Sequence, residues 1–387
     1  MLKAYRYRIY PTEEQAAFLN CQFGSVRYVY NWALALALAT TTYQTQGQGI
    51  TRFQLDKRLT ALKQELPWLG EVASQPLQQA LVHLDKAFTR FFREKKGYPR
   101  FKSKHGIQSA RYPQGVKMDW ENGVLYIPKA GWMRVILSRQ FVGAIKTVAL
   151  SRVPSGKFFV SVLVEDENQV PAGVPETFER AVGGDLGLHD FLVLSTGEKY
   201  PHPQWLERER YRLKILQRRL AQTTKGSKHR AKLRRQIARL YERVANRRQD
   251  FLRKLSTDLI RRFDTVCLED LNVAGMSHNR SLSRRIAQSG WAEFRRQLEY
   301  KAQWTGKHVR VIGRFDPSSR LCACGYYNHQ LTLADREWTC PQCGRHHDRD
   351  VLAANNIKHF AFAEHYTGRD TPSGPGERPP VDERRQP

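Results

Sequence analysis

The spacing of apolar residues changes period several times along the chain, and each change predicts an element. Residues 2–10 alternate and are rich in Tyr, which predicts a strand ended by Pro11. Thr12 with Gln15 makes a capping-box pattern that opens a helix, and a second helix is expected from Ser25 to about Thr40. Leu77, Leu81, Leu84, Phe88 and Phe91 recur at steps of four and three, so a helix there buries that face, with Phe88 and Phe91 taken as core. From 106 to 166 the pattern becomes that of short strands. Asn122-Gly123 joins KMDWE to VLYIP with the chemistry of a tight hairpin, and Pro154-Ser155-Gly156 sits likewise between AIKTVALSRV and KFFVSVLVED. With WMRVILSR between the two hairpins, a small antiparallel barrel or sandwich is expected. ENQVPAGVPETFERA reads as a linker, which puts a domain boundary near 170 to 180.

Beyond it, AVGGDLGLHDFLVLSTGE predicts a buried strand, a tight connection around Asp185 and a second strand. Leu213, Leu216 and Leu220, then Leu233, Ile237, Leu240 and Val244, give two helical stripes joined at TTKGSK, an antiparallel helical hairpin. FDTVCLED is a strand that ends in Glu269 and Asp270. A helix follows from Trp291 to about Trp304, then a strand in HVRVIGRF. The last residues, 366–387, are rich in Pro, Gly and charge and are expected to be disordered.

Charge turns this outline toward a partner. The chain holds 64 Lys and Arg against 37 Asp and Glu, a formal net charge of +27, and residues 205–262 alone hold 20 against 5. So much positive charge on one hairpin is costly unless a polyanion lies along it, and nucleic acid is the natural one. No apolar run reaches the length of a membrane span, and MLKAYRYRIYP lacks the apolar core of a secretory signal, so a cytoplasmic or nucleoid-associated protein without membrane contact is expected.

Two clusters carry chemistry. Four of the six cysteines fall in Cys322-Ala-Cys324 and Cys340-Pro-Gln-Cys343, each pair followed by Gly. The second spacing lets both thiolates reach one tetrahedral ion, and glycine lets the backbone turn back toward it. The first pair is one residue short, so His329, His346 or His347 stand as substitutes. Four protein ligands imply a closed, structural zinc site. The other cluster is acidic. Asp185, Glu269 and one of Asp348 or Asp350 each stand at a strand end or helix start, and three such carboxylates suit hard divalent cations that activate water on a phosphodiester.

In this order, GGDLGL, a basic hairpin, CLEDLNVAGM, FDPSSRLCACG, CPQCG and HHDRDVLAANNI resemble the TnpB family, the OrfB proteins of transposons. RYVYNWALA and GYPRFKSK resemble the same family, so the likeness covers almost the whole chain up to about residue 365. The resemblance implies an RNA-guided DNA endonuclease related to type V CRISPR effectors. Its fold class would be an α/β RNase H-like (RuvC) nuclease domain over 181–365, with the hairpin 205–262 and an inserted zinc ribbon at 318–346. Before it, 1–175 would form a small β-barrel with a helical recognition insert over about 12–104. The implied catalytic acids are Asp185, Glu269 and Asp350, holding Mg2+ or Mn2+, with Zn2+ at Cys322, Cys324, Cys340 and Cys343. Asp350 is preferred to Asp348 because the family's acid lies two residues before the position that holds Leu352, usually Asn in the family. A guide RNA from the transposon end would lie on Arg218, Arg219, Lys228, Arg230, Arg234, Arg235, Arg247 and Arg248. Gln75, Gln78 and Gln79, with Tyr28 and Asn31, would read a short motif in the target double-stranded DNA. Two alternatives stay open: a guided DNA-binding repressor that has lost cleavage, and a DNA strand-transfer transposase.

Overall fold

The structure is a computed structural model that describes residues 1–43, 50–166, 171–314, 316–332 and 334–363. The segment 366–387, expected to be disordered, lies outside the described residues. The chain packs into two compact units, 1–169 with 216–239, and 170–215 with 240 onward.

The first unit opens with β1 (Leu2–Tyr10), followed by α1 (Glu13–Tyr43), α2 (Arg52–Glu65), α3 (Trp68–Glu71) and α4 (Ser74–Glu94). The strands β2 (Gln108–Tyr112), β3 (Lys117–Asp119), β4 (Val124–Ile127), β5 (Gly131–Ile136), β6 (Ala144–Arg152) and β7 (Phe158–Glu165) follow. They form one antiparallel sheet in the order β2-β6-β7-β1-β5-β4-β3. Alternation along β1 buries Tyr7 and Ile9, and β6 and β7 bury Val148, Leu150, Val160, Val162 and Val164 against the helices. Both expected hairpins form, with Gly123 at φ +61 and Gly156 at φ +91, left-handed conformations that suit glycine.

Two expectations fail in this unit. The chain runs through Ser25 as one helix of 31 residues rather than two. Ser25, read as a second helix start, instead donates its hydroxyl to Cys21 O at 2.9 Å within the helix, and nothing crowds Gly24. Phe88 and Phe91 are half-buried rather than core. The helix is buried at Leu77, Leu81 and Leu84. Phe88 still packs against that core from its edge, and toward the helix end the aromatics also pack on one another, Phe88 on Phe92 and Tyr98, and Phe91 on Tyr98 at 5.0 Å.

The second unit is built on a five-stranded sheet. Its elements are β8 (Ala181–Asp185), β9 (Asp190–Leu194), β10 (Lys199–Pro201), α5 (Trp205–Ala221) as far as Ile215, α6 (Lys228–Arg262) from Leu240, and β11 (Thr265–Glu269). Then come α7 (Val273–Met276), α8 (Ser283–Ser289), α9 (Trp291–Thr305), β12 (His308–Ile312), β13 (Glu337–Thr339), β14 (His346–Asp348) and α10 (Arg349–Phe362). The sheet order is β10-β9-β8-β11-β12, with β8, β11 and β12 parallel and β9 and β10 antiparallel. Successive strands therefore lie first on one side of β8 and then on the other. The gap between β8 and β11, where that direction reverses, is where open sheets of this kind place their sites. Leu252, Leu255 and Leu259 of α6 and Phe294 and Leu298 of α9 pack with Val182, Leu192 and Leu268 of the strands. No described helix is long and apolar enough to cross a membrane.

Candidate active site

Asp185 and Glu269 end neighbouring parallel strands. Gly184 faces Leu268 in the register, so the two acids are the next residues along, side by side at the carboxyl edge. The small residues before Asp185 have a definite purpose. A Cβ on Gly183 would run into the backbone of Ala354 and stand 2.9 Å from Lys358 N, so only glycine lets α10 lie this close to β8. That approach brings the first turn of α10, with Asp350, toward the strand ends. Burial, then the negative charges of Glu269 and Asp350, push the Asp185 carboxyl well above the usual carboxylate range, with Arg349 and Arg336 opposing.

Each acid has its own support. Ser318 donates its hydroxyl to Glu269 Oε1 at 2.6 Å, and Asn356 of α10 donates to Ser318 O and Leu321 O, at 2.6 and 2.7 Å. Burial raises the Glu269 pKa despite that hydroxyl, and Asp316 adds to the rise. Asp348 is the N-cap of α10: its Oδ1 accepts from Asp350 N at 3.0 Å and Val351 N at 3.1 Å, and Lys199 Nζ holds its other oxygen at 2.5 Å. Burial disfavours its charge, but Lys199 and the two N–H donors outweigh that and lower its pKa. Arg336, just before β13, pairs with Asp350 at 3.3 Å. The preference for Asp350 over Asp348 is thus consistent with the geometry, since Asp348 is spent on a cap and a lysine. Asp270 is also spent, on Arg314 at 2.6 Å and Arg295 at 3.2 Å. Ser318, Lys199 and Arg336 were not singled out from sequence. The SSR following FDP was the only available signal, and it does not distinguish a carboxylate partner from a turn.

The donor set fits divalent ions. The negative charges of Glu269 and Asp350 both act on Asp185, and hard oxygen donors suit Mg2+ or Mn2+. Among the described residues only the four cysteines bring their ligand atoms within 4.8 Å of one another, so the acids are spaced more widely than a closed single-ion cage.

Those cysteines close despite the short first knuckle. Cys322 and Cys343 sulfurs lie 3.6 Å apart, as do those of Cys324 and Cys340, close to the edge of about 3.8 Å in a tetrahedral zinc–thiolate site. Gly325 at φ +91 and Gly344 at φ +70 return their N–H groups to Cys322 O and Cys340 O. Although burial favours the thiol, N–H donors from Cys343 and Gln342 hold Cys340 down at about 7, ready to ligate. No histidine has to substitute. His347 stands behind the set, its Nε2 3.1 Å from the Cys322 sulfur, while His346 meets Thr339 and Glu337. Leu352, the departure from the family's usual Asn, is buried with Cys322, Leu331, Trp338 and Cys340, where it completes the ribbon's apolar cluster.

The basic and recognition residues divide in the same way. Arg218, Arg219, Lys228, Arg234, Arg235 and Arg247 are exposed. Arg230 instead donates to Leu220 O and Thr223 O at the end of α5, and Arg248 to Ala287 O and Gln288 O. Gln78 is exposed, and Gln75 and Gln79 are partly so; Tyr28 stands edge-on to Trp68 at 5.2 Å. Asn31 Oδ1 accepts from Lys102 N at 2.7 Å and its amide donates to Lys102 O at 3.0 Å, which fastens GYPRFKSK to α1.

Acids gathered at the carboxyl edge of a mixed sheet, beside a four-thiolate ribbon, define an α/β class with two separate cation-ready centres. Comparison with known proteins narrows the class. The IS605 OrfB family, described as "Probable transposase", matches residues 160–280, and the Cas12f1-like TNB domain matches 291–357. A helix-turn-helix domain matches 1–48, although the described residues there form β1 and the single helix α1. A candidate RNA-guided DNA endonuclease of Streptomyces pristinaespiralis is 44% identical over 362 residues, 92% of this chain and 88% of that protein. A second, InsQ of Escherichia coli (strain K12), is 32% identical over 373 residues, 92% of this chain and 91% of its own length. A solved Cas12f1–sgRNA–target DNA complex aligns over 92% of this chain and 98% of its own at 14% identity, with a TM-score of 0.49. The chain belongs to the TnpB (OrfB) family.

Proposed function

We propose that this protein is a transposon-encoded, RNA-guided DNA endonuclease that hydrolyses phosphodiesters at Asp185, Glu269 and Asp350. The observation that carries the reading is the register of β8 on β11, which ends the two strands in Asp185 and Glu269 side by side; the negative charges of Glu269 and Asp350 acting on the half-buried Asp185 support it. The order of the five strands, with the acids at carboxyl ends beside the switch between β8 and β11, supports an RNase H-like sheet. The antiparallel sheet of the first unit supports its assignment as the small barrel.

Two divalent ions held there would supply an activated water and stabilise the leaving oxygen. The chain's own residues hold the geometry. Ser318 keeps one Glu269 oxygen fixed, Asp348 and Lys199 fix the turn that carries Asp350, and Arg336 brings positive charge to that edge of the site. Zinc at the four cysteines would tie the ribbon, and through it Ser318 and Arg336, to this centre. The exposed arginines and lysines of α5 and α6 would follow the guide backbone. Gln78, with Gln75, Gln79 and Tyr28, would read the adjacent motif; Asn31 is left out of that role in this reading because its amide is already bonded on both sides. The protein would work in the cytoplasm on cellular DNA.

The test is programmed cutting. Purified protein should carry a discrete RNA and, in Mg2+, cut DNA that matches the end of that RNA. Replacing that segment should move the cut to the new match. Binding without cutting would favour the repressor reading, and joining of transposon ends without RNA would favour the transposase.

A further inference from the structure

A cavity of about 290 Å3 opens directly beside Glu269. One wall is apolar, with Leu186, Leu271, Val273 and Trp291; Arg295 and Arg314 stand on another. Trp291 is only 2% exposed, yet its indole N–H has no hydrogen-bond partner. Buried donors are almost always satisfied, so an orphan in the lining of a cavity next to an acid of the site points to a ligand that is absent here. Arg295 and Arg314 share the single carboxylate of Asp270, Arg295 also reaching Glu299 at 2.8 Å. A guanidinium carries five N–H donors, more than these ion pairs use. The volume is at the lower end for small-molecule sites, and the mixture of apolar side chains, an unpartnered indole donor among the lining residues and two guanidinium groups matches a nucleoside with its phosphate.

We propose that this cavity receives the nucleoside next to the scissile phosphate of the DNA strand being cut. Its sugar and base lie on the apolar wall, the Trp291 indole donates to one of its oxygens, and Arg295 and Arg314 face its phosphate. The inference rests on the reading that Asp185, Glu269 and Asp350 cut DNA, and it adds a positioning subsite to that centre.

Trp291→Phe removes the N–H and keeps an aromatic ring in the core. Guide-loaded protein is given a matched target in which a single abasic nucleotide is moved step by step along the cut strand. Wild type should slow at one position adjoining the cut. Trp291→Phe should cut the intact target about tenfold more slowly, the effect of one lost hydrogen bond, with RNA loading and target binding unchanged. At the sensitive position the abasic target should cost the variant nothing more. Arg314→Gln, a change at a partly exposed side chain, should show the same non-additivity for a methylphosphonate at the adjoining linkage. The proposal is overturned if Trp291→Phe cuts at the wild-type rate, if no abasic position matters, or if the substitution and the abasic effect multiply independently. Full cutting by Asp185→Ala would instead remove the site itself, and the subsite with it.

Discussion

Two residues that touch no substrate in this account decide where Asp350 sits. Asp348 satisfies the first N–H groups of α10, and Lys199 satisfies Asp348 from the neighbouring β10. As an ion pair between side chains 42% and 34% exposed, the interaction contributes no more than about 1 kcal/mol to stability. Lys199→Met should therefore leave the melting temperature almost unchanged. It should lower the cutting rate roughly tenfold and raise the Mg2+ concentration needed for half-maximal rate, because an unfixed turn places Asp350 less well. Lys199→Arg should restore most of the rate, which a purely structural loss would not allow. Leu352 gives a contrasting case. It is buried in the ribbon's apolar cluster, so Leu352→Asn, toward the family's usual residue, should destabilise the ribbon by about 1–3 kcal/mol of unpaired amide, read as earlier zinc release on heating.

At the scale of elements, charge alone does not identify a nucleic-acid contact. Arg234 and Arg235 are exposed on α6, whereas Arg230 closes the end of α5 on Leu220 and Thr223. The double substitution Arg234→Ala/Arg235→Ala should flatten the salt dependence of RNA binding by about 0.7 for each phosphate no longer neutralised and leave the melting curve in place. Arg230→Ala should shift melting with little change in that slope. The helices and strands were legible where periodicity and turn chemistry agree, as at Asn122-Gly123 and along Leu77 to Leu84. They were misread at Ser25, because a serine bonded back to the preceding turn looks in sequence like a cap. In sequence the proposed acids stand out as carboxylates at strand ends or a helix start, and the family likeness chose among them. Their supports were not, because Lys199 lies 149 residues from Asp348 and Ser318 lies 49 from Glu269, separations at which no local pattern exists.

For the molecule as a whole, a hydrogen bond and an ion pair join the ribbon to the proposed acid centre. Ser318, at the ribbon's entry, holds Glu269; Arg336, beside its far strand, pairs with Asp350; α10 begins where the ribbon ends. Cys340→Ser should lose one equivalent of bound zinc, measured by elemental analysis, and lower guided cutting at least a hundredfold, since local folding on the order of 10 kcal/mol depends on the ion. The central claim, that Asp185, Glu269 and Asp350 act as one centre, has a direct test in the guided cutting rate of Asp185→Asn, Glu269→Gln and Asp350→Asn. RNA and target binding are measured alongside on the same preparations. Each variant is expected to bind as wild type does and to cut at least a thousandfold more slowly. A bound, correctly guided variant of any one of the three that still cuts at close to the wild-type rate would contradict the account.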